Sequence, residues 1–264
     1  MNQHTSDTAD PTLTPAPHRP AAWRAELLKL SSLRSTVVLA GTAVATSVLV
    51  SGLVSHADDP PRPGDAQSPL VTSFGGLILA EILIAALGAL AATSDYSSNT
   101  IRAALIAFPR RGRLYLAKLG AAALLVGAVA LAATAGSLIV GQWILHGTDA
   151  ALTASTPHLP RALLGAVYYL LGWGLAGFGI GLAVRRTAPA IGVVVVVLWV
   201  LPGLLSVYDL TLANYVAPTA TGQELLATAA TIAGEPSVPA AALSFTCFIL
   251  LCLAFGWQSF HRDT

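Results

Sequence analysis

Charge is scarce in this chain. Only 10% of its 264 residues are Asp, Glu, Lys or Arg, against 55% that are hydrophobic, whereas an ordinary soluble domain is about one quarter charged. That balance excludes a soluble globular protein and points to an all-α integral membrane protein. The net charge of +1 carries little information, because the signs are unevenly spread along the chain.

Groups that do chemistry are equally sparse. Two cysteines, Cys247 and Cys252, lie five residues apart in one apolar run; on a single helix they point in different directions, so no internal disulfide is expected. All six histidines (His4, His18, His56, His146, His158 and His261) fall outside the apolar runs. Glu81 is the single ionisable residue within a run, which excludes a metal centre at depth, since that would need several converging ligands. No Gly-x-x-x-x-Gly-Lys-Ser/Thr loop is present to cradle ATP, and no Gly-x-Ser-x-Gly elbow to present a nucleophile. The sequence therefore predicts neither an enzyme nor a bound cofactor, and it contains no internal repeat.

What remains is a series of apolar runs. Ser35–Ser55, Leu70–Thr93, Leu119–Leu145, Ala162–Val184, Ala188–Val207 and Val238–Phe260 are each long enough, at about 1.5 Å per residue, for a hydrocarbon core of about 30 Å. Six spans are thus expected within a membrane domain covering residues 21–264. Residues 1–20, rich in Pro, Thr and Asp, read as a disordered tail without the features of a cleavable signal. Ala22–Leu33 places Trp23, Leu27, Leu30 and Leu33 on one face, with Arg24, Glu26 and Lys29 off it, as in a helix lying in the interface; a plain extension of the first span is the alternative. Between the fifth and sixth spans, residues 208–237 are too polar to cross. Leu225–Ala233 is nonetheless apolar enough to dip in from one face, Pro218, Gly222 and Gly234 break any helix there, and an ordinary surface loop is the other reading.

Basic residues set the expected orientation. Twelve Lys and Arg fall on one side, in the N-terminal segment, the stretch 94–118, the Arg185–Arg186 turn and Arg262, against Arg62 and Arg161 on the other. The positive-inside rule then makes both termini cytoplasmic in a plasma-membrane protein.

Two features carry functional expectations. Glu81, placed near the middle of the second run, is either a residue of a substrate pathway or a hydrogen-bonded packing residue, because an isolated charge at that depth is costly. A proton-coupled carrier could use it, although a second intramembrane ionisable group is missing. Gly177 and Gly181, in a glycine-rich fourth run, allow close helix packing, within the chain or across a dimer. The other feature is the basic island Ser94–Lys118, in which Ser98–Phe108 reads as a short amphipathic helix and Arg102, Arg110, Arg111, Arg113 and Lys118 supply charge. It is either a receiver of force from a soluble partner or a basic loop that anchors topology.

The island also resembles a known family. Glu26 and Lys29 ahead of the first span, Asp95 and Tyr96 leading into Thr100, Ile101 and Arg102, and Pro109, Arg110 and Arg111 followed by Lys118 are similar to the cytoplasmic segment of actinobacterial permease subunits of ATP-binding-cassette transporters, the type-2 exporter class. Asp95 and Asn99 stand where that family is expected to have Glu and Gly. The resemblance implies a six-span permease working as a homo- or heterodimer with a separate ATPase subunit on the cytoplasmic side. Asp95 would cap the coupling segment, Ile101 and Leu105 would enter a groove of the ATPase, and the arginines would set register. A non-transporting membrane scaffold or immunity protein is a third reading.

Overall fold

The computed structural model describes residues 19–57, 73–97, 111–147, 151, 159–226 and 236–262. No strand occurs among them, and six helices are long and apolar enough to cross a bilayer. These are α2 (Arg34–Ala57), α3 (Leu77–Ser97), α4 (Arg111–Leu145), α5 (Leu159–Val184), α6 (Thr187–Tyr208) and α9 (Val238–His261). The chain is an all-α, multi-pass membrane protein. Ahead of the spans lies α1 (Arg19–Ser32), and between α6 and α9 come α7 (Leu210–Val216), α8 (Pro218–Gln223) and a single 3-10 turn, Glu224–Leu226.

Helix α2 has its small residues inside and its large ones outside. Ser47, Ser51 and Ser55 recur every four residues on the buried side, while Val38, Leu49 and Leu53 are exposed. Lipid solvates leucine as well as a protein interior does, so helices associate through small and hydroxyl side chains instead. Ser47 Oγ pairs with Ser137 Oγ of α4 at 2.7 Å, and Ser51 Oγ accepts from the Gly76 amide at 3.1 Å.

Helix α5 is the axis of the bundle, with Tyr169, Leu170, Trp173, Phe178 and Leu182 fully enclosed. It packs chiefly on α3 and α9. Its contact with α3 is backbone on backbone. A Cβ on Gly88 would lie 1.8 Å from the Gly174 carbonyl oxygen, and one on Gly177 would lie 2.0 Å from that of Ala85. No side chain fits at either position. The glycines of the fourth run therefore serve packing within the chain, and because Ala85 meets Gly177 and Ala89 meets Gly181, the two helices run parallel.

One end of the bundle gathers α1, the C-terminal end of α3, the first turns of α4, the α5–α6 turn and the C-terminal end of α9. Lys29 meets Asp95, Thr93 Oγ1 meets Thr187 Oγ1 at 2.6 Å, Arg185 donates to the Ser259 carbonyl, and Tyr115 Oη donates to the Leu253 carbonyl at 3.0 Å. Both terminal helices thus end on the same side, the side that carries the basic segments.

Three boundaries differ from the sequence expectation. Helix α4 begins at Arg111, eight residues before the apolar run, and α3 continues to Ser97. Hydropathy stops at charged residues, but a helix continues through them when a partner neutralises them, as happens at Lys118 and Asp95. At the other end, residues 74–76 form a turn and α3 starts at Leu77, so Glu81 sits about 6 Å into the helix, away from its middle. Within α6, Val196–Val200 forms a π turn in which the Leu201 amide bonds the Val196 carbonyl, just before Pro202, which has no amide to donate.

Candidate functional site

Asp95, at the end of α3, is 2% exposed, and two ammonium groups meet its carboxylate. Lys29 of α1 bonds its Oδ1 and Lys118 of α4 bonds its Oδ2, while Lys118 also lies 3.3 and 3.4 Å from the two carboxylate oxygens of Glu26. Two acids and two bases cancel, which is the condition for holding charges away from water. Burial, with the neighbouring Lys118 ammonium, pushes the Lys29 ammonium below its ordinary range, and Glu26 acts in the opposite sense.

The cluster changes the reading of α1. Leu30 is buried, at 2% exposure, against Ala91, Ala92, Leu114 and Tyr115, in keeping with an apolar face. Glu26 and Lys29, however, reach inward to the cluster. Asp95 lies within the last turn of α3, where its carboxylate meets the two lysines; the segment it was expected to cap lies outside the described residues.

The cluster brackets the basic segment. Asp95 stands at its start and Lys118 beyond its end, so both flanks of residues 98–110 are tied to one another and to α1. Of the residues expected to couple to a partner, Thr100, Ile101, Arg102, Leu105, Pro109 and Arg110 lie outside the described residues, as does the helix expected over 98–108. Arg111 opens α4. Tyr96 is half-buried and lines a cavity with Thr93, Arg185, Arg186 and Thr187.

Glu81 belongs to a second polar group, nearer the opposite end. It is 2% exposed, and its Oε2 accepts a hydrogen bond from Tyr169 Oη of α5. Trp173 packs edge-on to Tyr169 with ring centroids 6.4 Å apart, and its buried Nε1 has no partner among the described residues. Phe245 of α9 closes the group at 5.6 Å from Tyr169.

The segment between α6 and α9 covers this group. Ala217, Pro218, Thr219, Thr221, Gly222 and Leu225 are buried, and a Cβ on Gly222 would meet the Tyr169 ring at 2.3 Å. Tyr169 is ten residues into α5, about 15 Å along it. Residues 217–226 therefore tuck in beside α5 and α9; residues 227–235, which hold most of the stretch expected to dip into the membrane, lie outside the described residues.

The partners of Glu81 left no trace in the sequence, since Tyr169 is one aromatic in an aromatic-rich run. The pairing of Glu26, Lys29, Asp95 and Lys118 was open to inference only from four charges, each adjoining an apolar run. Among the described residues no group of His, Cys, Asp or Glu is arranged to hold a metal, and both cysteines are free thiols. No protein-family model matches the chain, and no curated protein matches it.

Proposed function

We propose that this chain is the membrane subunit of an exporter driven by a separate ATPase, which docks on the basic segment 98–110 on the cytoplasmic side of the plasma membrane. Two permease chains would enclose the substrate path. The observation that supports this best is the Asp95–Lys118–Lys29–Glu26 cluster. A push on a segment whose two flanks are bonded together moves α3 and α4 as one body. Because α3 lies backbone to backbone on α5, that movement passes directly to the core.

The resemblance of Asp95, Tyr96, Thr100, Ile101, Arg102, Leu105, Pro109, Arg110 and Arg111 to a coupling segment supports the same reading. A proton-coupled carrier asks Glu81 to exchange protons with water, and its enclosure beneath Tyr169 in this conformation does not favour that. No observation favours a scaffold or immunity role.

The test is purification of the tagged chain in mild detergent. An ATPase should co-purify and be lost when Arg110 and Arg111 are both replaced by Glu, and Ile101→Asp should leave ATP hydrolysis running without transport, since it puts an unpaired charge in an apolar groove. Absence of any ATPase, or one retained by the double Glu variant, overturns the proposal.

A further inference from the structure

At the end of the bundle that carries the ion cluster, Thr93, Tyr96, Arg185, Arg186 and Thr187 line a cavity of about 330 Å³. None of the five is acidic. The nearest carboxylate along the chain, Asp95, is held by Lys29 and Lys118. Two arginines are among the described residues that line it.

The local backbone is unusual at two adjacent residues. Arg185 has φ 63°, the left-handed region that a non-glycine residue seldom adopts. Arg186 is the N-cap of α6 and cannot accept a hydrogen bond, so no side chain caps the first turn. Two guanidinium groups are thereby placed at the positive end of a helix whose first amides point outward. Arg185 is held by its bond to the Ser259 carbonyl at 3.0 Å. The Arg186 side chain is exposed and makes no hydrogen bond or ion pair among the described residues, while its carbonyl accepts from the Ala190 amide at 3.2 Å. Thr93 and Thr187, paired at 2.6 Å, present hydroxyl oxygens at the wall.

We infer that this cavity binds a phosphate-bearing anion, and that the occupant is the headgroup of an anionic phospholipid. A planar guanidinium fork and the Thr187 and Ala188 amides at the start of α6 are the donors that phosphate oxygens need. Phospholipid is favoured because the cavity lies where α3, α5 and α6 end, at the level of the membrane interface, and the leaflet facing a basic surface is rich in anionic lipid. The inference stands apart from any transport activity.

The experiment uses the full chain in neutral detergent, titrated with dioctanoyl phosphatidylglycerol, dioctanoyl phosphatidylcholine or inorganic phosphate while thermal unfolding is followed. Phosphatidylglycerol should stabilise the protein saturably, and Arg186→Ala should weaken its apparent affinity by about tenfold, the loss expected for one charge-assisted contact. Arg186→Lys should fall between, and phosphatidylcholine should act equally on all three proteins. Arg186→Gln is a second variant if the alanine protein is poorly folded. Stabilisation by inorganic phosphate alone, with the same dependence on Arg186, keeps the anion site but makes its occupant a soluble phosphate compound. Equal phosphatidylglycerol affinity in the wild type and both neutral variants overturns the site.

Discussion

Lys118 lies seven residues into α4 with its ammonium against the carboxylate of Asp95, twenty-three residues earlier, and neither side chain is more than 3% exposed. The two ends of the basic segment are therefore bonded to each other at a buried point, and Lys29 and Glu26 complete the neutral group from α1.

Asp95→Asn should be the most costly single change in this group. It leaves Lys118 with only the more distant Glu26, and breaking a buried pair from one side costs about 3 to 5 kcal/mol. The lower end is expected because Glu26 remains. Lys29→Ala should cost clearly less, since that lysine side chain is 34% exposed. Replacing both partners, as Asp95→Leu with Lys118→Met, should recover most of the loss. Thermal unfolding in detergent gives the ranking, and a Lys29 variant as damaged as Asp95→Asn contradicts it.

Gly177→Val should prevent assembly of the bundle, because its Cβ would sit 2.0 Å from the Ala85 carbonyl with only backbone to give way. Gly120→Val is the control, since nothing lies within 4 Å of a Cβ there. The folded fraction on size exclusion after membrane extraction should collapse for the first and stay near wild type for the second. Equal yields would mean that the α3–α5 contact is looser than described.

Tyr169→Phe should destabilise by about 0.6 kcal/mol and at most about 1.7, the range measured for hydrogen bonds between membrane helices. Glu81→Gln should cost less, because a Gln carbonyl still accepts from the Tyr169 hydroxyl. In a double-mutant cycle of Tyr169→Phe with Glu81→Leu, which removes the acceptor, the two changes together should cost less than their sum. Strict additivity in thermal unfolding would show that the pair contributes nothing. Transport unaltered by Glu81→Gln would assign the residue to packing.

Much of the architecture was legible because a bilayer imposes it locally. About 20 apolar residues make a span whatever else the chain contains, so the six runs, their even count and the gathering of basic residues on one side follow from composition over short windows. The close-packing glycines of the fourth run were visible too, but their partner was not: Gly177 could equally have faced a second chain. Helix ends were misplaced where a charge interrupts an apolar run, at Lys118 and Asp95, since hydropathy cannot register that the two neutralise one another.

By itself the sequence determined that this is an all-α membrane protein, where its spans lie and which end is basic, because hydropathy and charge are sums over neighbouring residues. Only the tertiary structure decided that Glu26, Lys29, Asp95 and Lys118 share one buried point, that Tyr169 meets Glu81 beneath Gly222, and that Arg185 and Arg186 flank a cavity with Tyr96. Those pairings depend on the rotation and depth of each helix against its neighbours, which backbone contacts such as Gly88 on Gly174 fix and which no short window of the chain contains.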